Sequence, residues 1–227
     1  MSIEETFKKR FQARRFLKDK IPDKELIKSL LEKTFELVPS KQSLVPYRVN
    51  VLGPEHLEMK RKLYKLSSWH WETHKERSRK SIEKIHYGTI QMLAPYLIFF
   101  TDREVNDYNP SVLKKIQKGE PYPVLKLGKK ERDKAVEIGM FSKILTGLCL
   151  EQDLAVSYTK CFPNDDREVM KDFMREQKEK GTVPEIIDVM ESHVLLVMSI
   201  GYSDARKNFI KDFDEYKPPI ENVIKWI

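Results

Sequence analysis

The stretch PSKQSLVPYRVNVL, residues 39–52, constrains the fold more than any other part of this chain of 227 residues. Its first proline and serine follow a segment with helical periodicity, and they mark a turn. From Tyr47 to Leu52 apolar and polar residues alternate, which is typical of a strand with one buried face. The stretch therefore predicts a turn that carries the chain from a helix into a sheet.

Helical and strand patterns alternate on both sides of this stretch. Residues 23–37 predict an amphipathic helix with Pro22 suited to its first turn, and its apolar face comprises Leu26, Ile27, Leu30, Leu31 and Phe35. Further helices are predicted at 54–66, 68–92, 131–152, 165–180 and 184–191, and strands at 47–52, 96–101, 155–159 and 193–200. Few strands separated by helices predict an α+β fold with a sheet covered by helices.

Residues 102–130 are the longest stretch without a clear pattern, apart from a short predicted helix at 111–118. A loop-rich segment of this length within a domain often acts as a lid or a binding segment. A surface insertion without a role is the other interpretation. We expect one domain over 1–227, with a lid or an insertion at 102–130.

Composition indicates a globular protein and excludes several classes. Hydrophobic residues make up 40% of the chain and charged residues 34%, a balance that disordered chains lack. No apolar run approaches the roughly 20 residues that span a bilayer, and the first residues lack the apolar centre of a secretory signal, so we expect a cytoplasmic location. Two cysteines predict neither a disulfide framework nor a zinc site, and we expect no metal.

The charge pattern argues against two classes of partner, and one predicted helix suggests a subunit interface. The net charge of +7 is interleaved with acidic residues, and no nucleic-acid-binding motif accompanies it, so we expect neither nucleic acid nor a membrane as a partner. The predicted helix at 131–152 is apolar nearly all round. Such a helix must be buried on more than one side, and a subunit interface is a natural second surface.

Two segments carry residues suited to binding a ligand. Arg10 and Arg14 are four residues apart, which places them on one side of a helix or tight turn. Two neighbouring guanidinium groups favour a dianion such as a phosphate monoester, and Gln12 between them could bond a phosphate or a ring edge. A basic turn in water is the alternative. The turn at 39–47 offers N–H groups and hydroxyls to a planar ligand, or is an ordinary loop.

No serine, cysteine or paired-carboxylate arrangement for direct catalysis stands out in the sequence. If the protein is an enzyme, its reactive group is therefore a cofactor. In their order along the chain, the segments around 10–16 and 39–47 resemble the FMN-dependent nitroreductase family. Residues 200–202 also resemble that family's late Gly-Tyr-Pro motif.

This resemblance implies a set of FMN ligands. The family motif Arg-x-Ser-x-Arg/Lys-x-Phe binds the phosphate and the ribityl chain, and its positions here are Arg10, Gln12, Arg14 and Phe16. The motif Pro-Ser-x-x-Asn-x-Gln-Pro-Trp reaches the flavin from the partner subunit, and its implied ligands here are Pro39, Ser40, Lys41 and Ser43. A terminal basic-x-Pro segment implies Lys217 as a further phosphate ligand. The chain departs from these motifs at Gln12, Ser43 and Val45.

The resemblance also implies a fold and an activity. The fold would be α+β, with a central mixed, mainly antiparallel sheet flanked by helices, in an interlocked homodimer. The activity would be transfer of a hydride from NADH or NADPH to flavin N5, with electrons passed to a small acceptor such as a nitroaromatic, a quinone or an enone. One alternative is a divergent member that performs dehalogenation or flavin fragmentation, with Tyr108 or Tyr122 over the flavin. The other is a flavin-free binding protein on the same fold.

Overall fold

The computed structural model describes residues 2–40, 44–61, 63–64, 90–103, 110–119, 131–159, 194–204, 219–220 and 223–224. Within these ranges the strands are β1 (Tyr47–Leu52), β2 (Tyr96–Asp102), β3 (Ala155–Thr159) and β4 (Val194–Gly201). The α-helices are α1 (Ile3–Lys8), α2 (Lys24–Leu37), α3 (Pro110–Gln117) and α4 (Glu131–Glu151). Short 3₁₀ helices occupy Pro54–His56 and Ile90–Leu93.

The four strands form one antiparallel sheet in the order β1-β2-β4-β3. Tyr47 pairs with Asp102 across β1 and β2. Ala155 pairs with Gly201 across β3 and β4. A register shift interrupts β2 beside β4 between Phe100 and Thr101. The sheet thus places β1 and β3 at its two edges.

Both faces of the sheet are covered, and the central strand β2 contributes buried apolar side chains to each of them. Ile98 and Phe100 face one core, which α2 and α4 complete through Ile27, Leu30, Ile138, Phe141, Leu145 and Cys149. Leu97 and Phe99 face the other core, completed by Leu52, Leu63, Met92, Ala94 and Val197. Side chains that alternate along a strand reach opposite faces. The sheet is therefore sandwiched between helical layers.

An aromatic cluster joins β1 to α4 in the first of these cores. The Tyr47 ring lies 6.1 Å from that of Phe100 and 6.0 Å from that of Phe141. Such tilted and edge-on pairs are favourable beyond the area they bury. The Tyr47 hydroxyl has no hydrogen-bond partner among the described residues. Burial and the negative charge of Glu137 raise the Tyr47 pKa to about 12.

Most predicted elements that fall in the described ranges are confirmed. β1 and β3 have the predicted bounds, and α2 begins after Asp23, its N-cap. One helix-face prediction is wrong: Phe35 is 58% exposed, whereas Thr34 is buried and bonds back to the carbonyl of Leu30. The predicted helix at 54–66 begins as a 3₁₀ helix at Pro54–His56 and continues as α-helix at 57–61 and 63–64.

Several predicted elements lie outside the described residues. They are most of the helix at 68–92 and the helices at 165–180 and 184–191. Of the segment 102–130, α3 confirms the short predicted helix, and the lid assignment stays a prediction. No helix in the described part of the chain is both long and apolar enough to cross a bilayer.

Candidate cofactor site

The segment with the two candidate arginines is not helical. A capping box between Ser2 and Glu5 starts α1, and the helix ends at Lys8. The prediction of a helix or tight turn across Arg10 and Arg14 is therefore wrong. Gln12 instead forms a parallel bridge with Val156 at the β3 edge of the sheet. In an extended chain, alternate residues lie on the same side.

The main chain of this segment is fixed to the sheet at two further points. The Ala13 N–H donates to the Val156 carbonyl at 3.3 Å, and the Leu17 N–H donates to the Tyr202 carbonyl at 2.8 Å. Phe16 packs where Gly201 leaves room, since a Cβ on Gly201 would lie 2.9 Å from Phe16 Cδ1. The same Cβ would lie 2.8 Å from Pro95 Cδ, so a larger residue at 201 would force Phe16 or Pro95 to shift. These contacts hold the candidate ligands against the end of the sheet.

Arg10 and Gln12 converge on one residue, Tyr158 of β3. The Arg10 guanidinium carbon lies over the Tyr158 ring, 5.5 Å from its centroid. Gln12 Nε2 donates to the Tyr158 carbonyl at 2.8 Å and to Ser157 Oγ at 3.1 Å. These two bonds use both amide N–H groups of Gln12, because a primary amide has two donor hydrogens. Its amide oxygen is the atom that remains to meet a ligand.

Tyr158 is itself anchored from the opposite direction by α4. Its hydroxyl donates to the Ser142 carbonyl at 3.1 Å and bonds to the Thr146 hydroxyl. Burial raises the pKa of Tyr158, partly offset by the bond to Thr146 and the charge of Arg10. The ring is thus held at its hydroxyl end in the protein, while its face meets the exposed Arg10.

The turn before β1 is tied to α4 by Ser40. Ser40 Oγ donates to Glu137 Oε2 at 2.9 Å and accepts from the Val45 N–H at 2.9 Å. Glu137 is 4% exposed. Val45 has φ of +41°, a left-handed conformation that strains a β-branched residue. The hydroxyl predicted to meet the flavin therefore already bonds within its own chain.

The remaining candidates divide into described and undescribed positions. Arg14 and Pro39 are exposed, Arg14 beyond the bridge to β3 and Pro39 at the start of the turn. Lys41, Ser43 and Lys217 lie outside the described residues, as do Tyr108 and Tyr122 of the predicted lid. In the described part of the chain, no group of three or more His, Cys, Asp or Glu side chains could hold a metal ion.

Sequence reasoning missed two polar residues with structural roles at this site, Glu137 and Tyr158, and one buried cation beside the start of β2, Lys60. Glu137 had a signal, because it is the one acidic residue in the mainly apolar stretch 135–150 of this helix. Tyr158 had none, since an aromatic residue is ordinary in a strand.

Lys60 is a buried cation in a segment read as a simple helix. Its Nζ donates to the carbonyls of Ala94 at 2.8 Å and Pro95 at 2.9 Å. The residue is 2% exposed, and burial lowers its pKa to about 8, while the charge of Glu55 acts in the opposite direction. The ammonium group thereby fixes the backbone that enters β2.

Known proteins resemble this chain in structure rather than in sequence. The chain matches no protein-family model and no curated protein. A nitroreductase-like protein from Streptococcus mutans is 16% identical, with 99% of this chain and 97% of that chain covered and a TM-score of 0.62. The FMN and NADPH-dependent nitroreductase NfnB from Sphingopyxis sp. strain HMH is 14% identical, with 100% and 99% covered and a TM-score of 0.58. An oxidized iodotyrosine deiodinase bound to FMN and 3-iodo-L-tyrosine is 20% identical, with 95% and 100% covered and a TM-score of 0.55.

These likenesses define the class of fold. The protein has the nitroreductase fold, and the predicted α+β architecture with a mainly antiparallel sheet flanked by helices is confirmed. All strand pairs in the described residues are antiparallel, and the isolated parallel bridge joins Val156 to Gln12, which lies outside the named strands.

The residues present fit the chemistry of FMN. Its phosphate is a dianion, and Arg10 and Arg14 are exposed cations on a segment fixed to the sheet edge. Its ribityl chain carries hydroxyls, and the amide oxygen of Gln12 can accept a bond from one of them. Both amide N–H groups of Gln12 are bonded to β3. Gln12 would therefore contact the ribityl chain as a hydrogen-bond acceptor, through its amide oxygen.

Proposed function

We propose that this protein is an FMN-dependent oxidoreductase of the nitroreductase family, which uses NADH or NADPH as reductant in the cytoplasm. The observation that carries the proposal is the fixed segment 10–17 at the β3 edge, which presents Arg10 and Arg14 to solvent on a nitroreductase fold. Two guanidinium groups on a rigid segment suit a phosphate monoester.

The chain's own residues bind and orient in this proposal. Arg10, Arg14 and Lys217 neutralise the phosphate, while Gln12 accepts a ribityl hydroxyl. Pro39, Ser40, Lys41 and Ser43 of a second copy line the edge of the ring. When bound, FMN supplies a hydride acceptor at N5 that alternates between a nicotinamide donor and a small electron acceptor. The protein contributes position and electrostatic complementarity.

A homodimer is part of the proposal, because apolar groups remain exposed in the isolated chain. Val136 on α4 is 56% exposed, and Phe35 and Leu37 on α2 are 58% and 55% exposed. Near the C-terminal end Ile220 and Val223 are 70% and 68% exposed. Apolar side chains on two packed helices and a terminal segment are typical of surfaces that a partner covers.

Specialised flavin chemistry is a second candidate within the same fold. The iodotyrosine deiodinase is 20% identical to this chain, more than the two nitroreductase-fold structures described above. Reductive dehalogenation would need the same FMN site with a different acceptor. We propose that the segment 102–130, with Tyr108 or Tyr122, would then contact the acceptor.

A flavin-free binding protein is the third candidate, and one observation favours it. Ser40 Oγ and both N–H groups of Gln12, which the family resemblance assigns to the cofactor, are bonded inside the chain. Arg10 and Arg14 would then hold another phosphorylated ligand.

Flavin binding separates the third candidate from the other two. Purified protein should be incubated with FMN, desalted, and its visible absorption recorded, with riboflavin as the phosphate-free control. The proposal predicts retention of FMN and weaker retention of riboflavin. Protein that retains neither flavin would contradict the proposed function and support the binding-protein candidate.

A further inference from the structure

We infer that Tyr158 is a positioning residue for Arg10, and that its ring sets how strongly this site prefers a phosphorylated ligand over the same ligand without its phosphate. The inference rests on the proposed function, since it concerns the same FMN site. Tyr158 lies in β3, outside the segments 10–16 and 39–47 that supplied most of the predicted FMN ligands.

The first step concerns Arg10, whose side chain is long and exposed. A free arginine side chain loses rotamer entropy when a ligand fixes it. An aromatic face beneath the guanidinium limits its conformations before the ligand arrives. The Tyr158 ring centroid, 5.5 Å from Arg10 Cζ, provides that face.

The second step concerns the rigidity of the ring. The hydroxyl of Tyr158 bonds to the Ser142 carbonyl and to Thr146 on α4. Its carbonyl accepts the Gln12 amide at 2.8 Å. The ring is therefore fixed at its backbone and at its far end. A fixed ring can orient a guanidinium, whereas a mobile one would only follow it.

The third step concerns charge. A contact with an aromatic face leaves the guanidinium charged, because the ring carries no opposite charge. An acidic partner in the same place would neutralise Arg10 and weaken its attraction for phosphate. Tyrosine thus orders the cation and leaves its charge for an anion. The two N–H groups of Gln12 that bind β3 hold the segment in the same register.

The experiment measures dissociation constants for FMN and riboflavin by flavin fluorescence in wild type, Y158L and Y158F. The ratio of the two constants isolates the phosphate and is insensitive to a general loosening of the site. We expect Y158L to lower this preference for FMN by roughly two- to fivefold, the value of an exposed cation–aromatic contact. Y158F keeps the ring but removes the hydroxyl that anchors it to α4, so its preference should fall between those of wild type and Y158L.

A matched control is F7L, because Phe7 lies beneath another cation, with Lys143 Nζ 4.0 Å from its ring centroid. F7L should leave the ratio unchanged. In the R10A background, Y158L should produce no further change, since the residue acts through Arg10. If circular dichroism shows that Y158L does not fold, a series of phenylalanines with increasing numbers of fluorine atoms should be placed at position 158. Fluorine weakens the negative potential on the face of the ring at nearly constant shape. The preference for FMN over riboflavin should therefore fall stepwise along the series.

The outcomes are distinguishable. Wild-type protein that binds neither flavin would overturn the proposed function and this assignment together. Wild-type protein that prefers FMN, with the same preference in folded Y158L or in the fluorinated series, would overturn the assignment of Tyr158 alone. An equal loss in Y158L whether or not Arg10 is present would also overturn it.

Discussion

Ser40 Oγ donates a hydrogen bond of 2.9 Å to Glu137 Oε2 and so joins the turn before β1 to the middle of the long helix α4. The same oxygen accepts the N–H of Val45, whose φ is +41°. A strained residue persists where its surroundings fix it. One serine hydroxyl therefore holds both ends of the turn that the proposed function assigns to the flavin edge.

We predict that S40A lowers the free energy of unfolding by about 1–3 kcal/mol, because it removes two hydrogen bonds and leaves buried Glu137 with one bond fewer. Urea unfolding followed by circular dichroism measures the change. S29A is the control, since Ser29 is exposed on α2, and its effect should stay within about 0.5 kcal/mol. Wild-type stability in S40A would show that the Ser40–Glu137 bond does not hold the turn.

The double variant R10A/R14A should weaken FMN binding by at least about 3 kcal/mol, since each hydrogen bond to a charged group contributes roughly 1.5–3 kcal/mol. Riboflavin binding should change far less, because it lacks the phosphate. Fluorescence titration with each flavin gives both values. R48A/R61A, which removes two exposed arginines elsewhere, controls for net charge. Unchanged FMN affinity in folded R10A/R14A would remove the phosphate assignment and leave the fold untouched.

V136E should convert the proposed dimer to monomer, or raise the dimer dissociation constant by about tenfold or more, because the partner would bury the new charge without an opposite charge beside it. Val136 is 56% exposed on α4. Sedimentation or light scattering over a range of concentrations reports the mass. I3E alters a residue that is 81% exposed on α1 and should leave the dimer intact. A wild-type monomer, or a dimer that V136E leaves intact, would contradict this interface.

Lys60 should make stability depend on pH in the alkaline range. Its folded pKa of about 8 lies below the ordinary 10.5, so between these values the unfolded chain binds more protons. The cost of burying the charge is complete below about pH 8 and is relieved as pH approaches 10.5. Stability of wild type relative to K60M should therefore rise, by up to about 1.4 kcal/mol per pH unit.

Urea unfolding of wild type and K60M tests this dependence. The measurements should cover pH values from about 7.5 to about 10.5, which include both the folded and the ordinary pKa of Lys60. K33M replaces an exposed lysine on α2 and should show no such trend against wild type. If the difference in unfolding free energy between wild type and K60M does not change with pH, Lys60 is well solvated in the folded protein.

The sequence was sufficient for elements whose pattern and packing agree. β1 alternates along its length and pairs over all six residues with β2. α4 is apolar nearly all round because it packs on the sheet, α1 and α2 while leaving Val136 exposed. The end of α2 was also predicted correctly, since the helix ends at Leu37, just before Pro39 and Ser40.

The side-chain contacts of the site could not be read from spacing. Arg10 and Arg14 were assigned helical spacing, but the pairing of Gln12 with Val156 depends on a strand about 145 residues away along the chain. Phe35 was assigned to the core, but the turn of α2 against α4 buries Thr34 instead. Both outcomes depend on long-range packing, which local periodicity does not report.

Anaerobic addition of NADH or NADPH to the FMN-loaded protein, followed by visible absorption, tests the central claim of a nicotinamide-dependent flavin oxidoreductase most directly. The proposed function predicts that the absorption of bound flavin bleaches within the time of manual mixing and returns when an acceptor such as a quinone is added. A bound flavin that neither nicotinamide bleaches would contradict the proposed reductant, and protein without flavin after incubation with FMN would contradict the proposed activity.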